Sequence, residues 1–430
     1  MLGKEVVENS VVLRDATGRL GFVCDREPRS EEERDSVTNA IIAALGPYAR
    51  RDSAITFVSD PGARRLLQEP LRLPFQIGEV SCKLVDRRIV GSGWLDIPRQ
   101  DVQGPPRVVF ASLKGGVGRS TALAVAAADF ARRGQNVLVI DLDLEAPGLG
   151  DLLLDEERVP RFGVVDFLVE NGIGSVPPSL LDEFIGASAL TTGGGGRVDV
   201  VPALGSKAIE FPENVMPKLA RAMIEDILEN GELISVTQQI SAMIELLTER
   251  AAYDVVLIDS RAGLAELAAP AMLGLSAVVL LFGTAQIQTV NGYRALFSAL
   301  RLLAKRDREQ LREPNWRLKL KAVHAKATLS ESVLARHRDN LYDLFAEELY
   351  DEDRGIQELA DVSFGIDEPD APHWPLVIPF NQAFIDWDPV RDPGQLTQSF
   401  YEQTFRSFLN GLDTVIQAAS DPAPLRNDLA

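Results

Sequence analysis

The segment Lys114-Gly115-Gly116-Val117-Gly118-Arg119-Ser120-Thr121 contains the residue types that bind phosphate. Glycines let the backbone curl so that successive N–H groups converge on phosphate oxygens. A helix starting directly after such a loop adds the partial positive charge of its N-terminus. Ser120 brings a hydroxyl placed to ligate Mg2+. Two apolar runs that end in carboxylates complete the pattern: Val139-Ile140-Asp141-Leu142-Asp143 and Leu257-Ile258-Asp259-Ser260-Arg261-Ala262-Gly263. An apolar strand ending in Asp delivers its carboxylate to the carboxyl edge of a parallel sheet, beside the loop. One such group can hold Mg2+ through water, and another can orient an attacking water. One Asp at a strand end is ordinary turn chemistry. Three of them beside a Gly-rich loop single out phosphate chemistry.

For this to work, the loop must join a strand to a helix. RVVFASL reads as a strand, TALAVAAADFARRG as a helix ended by Gly134, and NVLVIDLD as the next strand. VDVVPAL, YDVVLIDS, SAVVLLFG, LKLKAVHA and WPLVIPF are further strands of the fully buried type. Strands alternating with helices predict an α/β domain with a doubly wound, mostly parallel sheet. PRQDVQGPP, residues 98–106, reads as a linker. Residues 1–100 before it read as a small α/β domain of unknown role. Its strands are VVLRD, GRLGFVC, AITFVS, EVSCKLV and RIVGSGW, and SVTNAIIAALGPY is its helix. No internal repeat is visible.

The 430 residues are 46% hydrophobic and 25% charged, which excludes wholesale disorder and suits two or three cored domains. Cys24 and Cys82 both fall in the first hundred residues, against a disulfide scaffold and against a Cys-based metal site elsewhere. His324, His337 and His373 have no zinc spacing. The N-terminus lacks an apolar signal core, and no apolar run approaches about 18 residues, so the reading is a soluble, cytoplasmic protein. Residues 1–104 are nearly neutral, so the net charge of −19 lies almost wholly beyond them and disfavours non-specific nucleic-acid binding. Residues 343–370 hold eleven acidic side chains against Arg354. They read as a solvated segment, with docking of a basic partner as the alternative. Residues 301–321 are locally basic and read as a solvated helix and strand edge, with a phosphate-contacting patch as the alternative.

K-G-G-V-G-[K/R]-[S/T]-T, an apolar run ending D-x-D, and Y-D-hhhh-D-xxx-G together resemble the deviant-Walker ATPases that include ParA and MinD. The resemblance covers residues 106–418, with 419–430 as a polar tail, and includes VDFLVENG, VDVVPALG and VIPFNQAF. It implies ATP and Mg2+ as ligands. It implies that Lys114 is a signature lysine reaching across an ATP-sandwich homodimer, and that Gly115, Gly116, Val117 and Gly118 form the loop. Ser120 would bind Mg2+, Thr121 the α-phosphate, Asp143 the hydrolytic water, and Asp141 and Asp259 the outer Mg2+ shell. Adenine contacts would come from near Pro379, Phe380 and Asn381.

Three residues depart from the family pattern. Arg119 replaces the usual second lysine of the loop. It keeps the charge in a larger, forked group, so nucleotide binding is expected to survive while hydrolysis is put in question. Arg261 stands where Pro is usual. It either rests on the surface or approaches the γ-phosphate as an internal arginine finger. His324 stands near a usual adenine-reading Asn, as a base contact or a core histidine. Branches with cysteines in the ATPase domain, a Tyr-rich tail or a basic membrane helix do not fit. The last predicted helix carries Leu396, Phe400, Phe405, Phe408, Leu409, Leu412, Val415 and Ile416 with only Arg406 as a cation, which reads as core rather than as a membrane anchor. Three functions follow from the resemblance: an ATPase acting as a dimerisation switch for a partner protein, a nucleotide-binding scaffold with little turnover, and a DNA-partitioning ATPase.

Overall fold

The computed structural model describes residues 2–101, 103–189, 195–227, 233–351 and 362–420. Of the acidic segment, residues 352–361 lie outside these, as does the polar tail from 421. The chain divides into two compact units, Met1–Ile97 with Ala299–Pro314, and Pro98–Ser298 with Asn315–Ala430.

The first unit is built on strands β1 (Val11–Arg14), β2 (Leu20–Cys24), β3 (Ile55–Phe57), β4 (Leu73–Ile77) and β5 (Val80–Asp86), in sheet order β3-β2-β1-β5-β4. The sheet is mixed: β1 pairs antiparallel with β2 and parallel with β5. Helices α1 (Lys4–Asn9), α2 (Glu31–Leu45) and α3 (Ala63–Leu67) accompany it. Ser30 caps α2 by accepting a hydrogen bond from the N–H of Glu33. Cys24 and Cys82 are free and buried. The strand expected over RIVGSGW does not form; a short 3-10 turn, Ser92–Leu95, follows Gly91 at φ 78°.

The second unit carries an eight-stranded sheet. Its strands are β6 (Arg107–Ser112), β7 (Asn136–Leu142), β8 (Gly186–Ala187), β9 (Arg197–Val201), β12 (Val255–Ser260), β13 (Val278–Gly283), β14 (Leu320–Ala327) and β15 (Leu376–Pro379). The two-residue strands β10 (Asp226–Ile227) and β11 (Leu233–Ile234) pair separately. Sheet order is β15-β14-β13-β6-β12-β7-β9-β8, parallel except for β8. The helices are α4 (Arg119–Arg132), α5 (Leu149–Leu153), α6 (Val164–Ile173), α7 (Ser206–Glu210), α8 (Val215–Ala222), α9 (Val236–Arg250), α10 (Ala268–Leu273), α11 (Ile287–Glu309), whose residues from Ala299 count with the first unit, α12 (Glu331–Glu348) and α13 (Gln398–Ser420).

β6, β12 and β13 are buried along their whole length, as strands covered on both faces must be. The Ala-rich α4 is buried over most of its length and packs with α13. Phe405, Phe408, Leu409 and Leu412 of α13 are core residues, with Phe408 against Phe110 and Phe282. That apolar stripe therefore covers the sheet. Among the described residues no helix is long and apolar enough to cross a membrane.

The basic run at 301–321 is a solvated edge only in part: Arg301 and Lys305 are exposed, and Arg308, Arg312 and Lys319 are half-buried. Arg306, Arg317 and Lys321 are buried. Arg306 donates to the carbonyls of Leu95 and Asp96. Arg317 forks onto Asp351 at 3.0 Å through both terminal nitrogens. Lys321 donates to the carbonyls of Pro369 and Ala371. These cations act as internal hydrogen-bond donors, because a buried charge is tolerated only when paired or hydrogen-bonded.

Candidate functional site

β6 ends at Ser112, and the chain reaches α4 through the glycine loop. Gly116 and Gly118 adopt φ 72° and 88°, the left-handed region that favours glycine. The described hydrogen bonds give no partner to the N–H groups of Gly115, Gly116, Val117 and Gly118. That is the donor set a phosphate group requires.

Asp259 on β12 pairs in register with Asp141 on β7 and with Phe110 on β6, so the parallel sheet sets both carboxylates beside the loop. Arg119 sits buried at their centre. Its Nε donates to Asp259 Oδ1 at 2.5 Å, one terminal nitrogen to Ser112 Oγ at 3.1 Å, and the other to Asp143 Oδ2 at 3.1 Å. Ser120 Oγ donates to Asp259 Oδ2 at 2.5 Å. The second oxygen of Asp143, Oδ1, is buried without a hydrogen-bond partner.

Asp141 plays another part. It accepts N–H groups of Asp143, Gly148 and Leu149 at 3.0, 3.4 and 3.2 Å, which fixes the chain leaving β7. Burial, and then the charge of Asp259, push its carboxyl up to about 7. Burial also pushes the Asp259 carboxyl up, while Arg119 and Ser120 oppose that shift.

Lys114 is exposed, and its ammonium donates to Gln288 Oε1 on α11. Arg261 pairs with Glu145 and so has a partner other than phosphate. His324 is buried, its ring 4.3 Å from that of His337, which makes it a core residue. Pro379 ends β15 at the same sheet edge as the loop. Phe380 is exposed beyond it. The Asn381 side chain is already engaged, donating to Thr404 Oγ1 at 2.8 Å and accepting the N–H of Ala383.

Ser112, Gln288 and Glu145 belong to the site and went unread in the sequence. Only Ser112 had a local signal, its place two residues before Lys114 at the end of an apolar strand. Lys326 also approaches the loop, its side chain lying over Gly118, and its backbone is held at φ 51° beside a register shift in β14.

The donor set suits a nucleotide with Mg2+. The loop amides are open, a hydroxyl and a carboxylate oxygen meet at Ser120 and Asp259, and Asp143 keeps an orphaned oxygen. Among the described residues no group of three or more His, Cys, Asp or Glu side chains forms a metal cluster. Mg2+ at phosphate sites takes few protein ligands, so this fits.

A glycine loop between strand and helix, flanked by strand-end carboxylates in a parallel sheet, defines a phosphate-loop nucleotide-binding domain. Residues 108–269 match the family model of the CobQ/CobB/MinD/ParA nucleotide binding domain, CbiA. None of the curated proteins matches the chain. Among solved structures, it is similar to pNOB8 ParA bound to nonspecific DNA, at 14% identity and TM-score 0.44, over 73% of this chain and 98% of that one. It is similar to the cell division ATPase MinD of Pyrococcus furiosus, at 18% identity and TM-score 0.41, over 72% and 99%. A third similar structure is the septum site-determining protein MinD with Mg-ADP from Pyrococcus horikoshii OT3, at 17% identity and TM-score 0.42, over 74% and 99%. At these values nothing about ligands or partners passes from those proteins to this chain.

Proposed function

We propose that the chain is a Mg2+-dependent ATPase whose nucleotide state controls a homodimer, and through it the engagement of a partner protein. The observation that carries this reading is the cluster of Arg119, Ser120, Asp143 and Asp259 at the mouth of the glycine loop. The amides of Gly115 to Gly118 and the start of α4 cradle the phosphates, with Thr121 beside them. Ser120 and Asp259 would hold Mg2+, and Asp141 keeps the β7 end in place. Bound Mg2+ supplies charge neutralisation at the transferring phosphate. Asp143 uses its free Oδ1 to orient the attacking water. Pro379, Phe380 and Asn381 are assigned to the base, supported by the end of β15 at the sheet edge that carries the loop. Lys114 is exposed and held by Gln288 rather than by its own loop, which leaves it available to a second subunit.

Arg119 favours a second reading. Its fork ties Asp143 to Asp259, so the same contacts can keep the water-orienting carboxylate from working. That describes a nucleotide-binding scaffold with little turnover.

Mass in solution by light scattering, without nucleotide, with ADP–Mg2+ and with ATP–Mg2+, tests both readings when phosphate release is followed on the same samples. A monomer that dimerises only with ATP and slowly releases phosphate supports the switch. A dimer without nucleotide that releases no phosphate supports the scaffold. Lys114→Ala is expected to weaken dimerisation and turnover together, and normal ATP-dependent dimerisation of that variant would overturn the sandwich model. Asp143→Ala is expected to keep ATP bound and trap the dimer.

A further inference from the structure

A second concave site lies on the same edge of the sheet as the glycine loop, beyond the carboxyl end of β9. It is a cavity of about 200 Å³ between the start of α6, the chain after β9, and α8. Gly163 makes it possible: a Cβ there would lie 2.6 Å from the carbonyl oxygen of Ala203, so only glycine lets α6 start this close to the β9 loop.

Three cations line the cavity, Arg161, Lys207 and Lys218, in a molecule of net charge −19. Two aromatic walls accompany them, and each already lies under a cation. The Arg161 guanidinium is 5.1 Å from the Phe162 ring centroid, and the Lys207 ammonium is 5.3 Å from that of Phe211. One carboxylate, Asp166, also lines the site. It is buried and spoken for, bound to Lys218 at 2.5 Å and accepting the Gly163 N–H at 3.0 Å. Lys207 pairs with Glu210, which is outside the lining. Among the described residues no carboxylate pairs with Arg161. The lining therefore keeps a net positive charge with one uncommitted guanidinium over a ring.

We propose that this cavity is a binding site for a small planar organic anion, a carboxylate or phosphate monoester. Arg161 and Lys207 take the charged group, and Phe162 and Phe211 pack against the planar part. Size sets the class. The cavity measures about 200 Å³. That is below the usual range for pockets that hold drug-sized ligands, so the ligand is small. A guanidinium matches carboxylate and phosphate oxygens in pairs, and its flat face stacks on a ring. The assignment does not depend on what the glycine loop binds.

The test is calorimetric titration of the full chain with phenyl phosphate, benzoate and inorganic phosphate, each with and without ADP–Mg2+. The expected result is one equivalent of phenyl phosphate or benzoate bound, weakened by salt, tighter than inorganic phosphate and unchanged by ADP–Mg2+. Arg161→Gln and Lys207→Gln, both at solvent-accessible positions, are each expected to weaken binding about tenfold, the loss of one charge-assisted hydrogen bond. Binding that ADP abolishes would assign the anion to the glycine loop and overturn the proposal. So would no binding, binding indifferent to both substitutions, or inorganic phosphate binding as tightly as phenyl phosphate.

Discussion

Arg119 holds together groups that would otherwise repel. Its guanidinium is the cation between Asp259 and Asp143, and all three side chains are largely removed from water. Removing one partner of a buried pair leaves an uncompensated charge, which costs about 3–5 kcal/mol. Arg119→Ala is therefore expected to destabilise the nucleotide-free protein by that order. Mg2+ should raise the melting temperature of the variant more than that of the wild type, and thermal denaturation with and without Mg2+ checks this. Asp141 carries a different signature. Its folded-state pKa of about 7 lies above that of an unfolded aspartate, so the folded protein binds the extra proton in the window between. Its contribution favours the fold below that window and is lost as pH rises through it, by up to about 1.4 kcal/mol per pH unit. His337, pushed down to about 4 by burial and then by His324, acts in the opposite sense over an overlapping range. The clean measurement is thus a difference. Between pH 5 and pH 7.5, urea denaturation is expected to show Asp141→Asn losing less stability than the wild type.

At the scale of elements, α13 closes the second unit through its aromatic face. Phe408 is fully buried, with ring centroids of Phe282, Phe110 and Phe405 at 6.1, 6.4 and 6.4 Å. Phe408→Ala is expected to cost about 3–5 kcal/mol, read from a lower denaturant midpoint. A helix that served a membrane instead would lose little. The strands of this unit were legible because a parallel strand covered on both faces is a continuous apolar run, and β6, β7, β12 and β13 are such runs. The first unit was harder to read. RIVGSGW has β-type residues, but Gly91 turns the chain into the left-handed region. β4 gives a weak sequence signal because Pro74 sits inside it, a residue tolerated there because β4 is at the sheet edge. In the site, the loop and the aspartates were readable, since the sheet carries them to one edge by local sequence alone. Gln288 was not, because its contact with Lys114 joins positions 174 residues apart. Nor did the sequence show that Arg119 would fork between two carboxylates, which depends on the β6–β12–β7 strand order.

For the molecule as a whole, the charge balance decides what it can attract. The basic run that would have supported DNA binding spends Arg306, Arg317 and Lys321 on internal partners, and Arg312 on Asp307. With Arg306, Arg317 and Lys321 buried, Arg312 paired and a net charge of −19, the ATP-bound protein is expected to show no salt-sensitive retention of double-stranded DNA at about 0.15 M salt. Mobility-shift titration across salt concentrations tests this, and a steep slope of affinity against salt would restore the partitioning alternative. The two cysteines offer a practical route to all of these measurements. Cys24 and Cys82 are buried, and burial pushes both thiols up, so neither presents a thiolate to a reagent in solution. The wild-type chain is thus close to silent toward maleimide dyes. One cysteine introduced at exposed Ile209 beside the cationic cavity, or at Phe380 near the glycine loop, would carry a fluorophore to that place alone. The occupancy of each site could then be followed in real time without first rebuilding the protein.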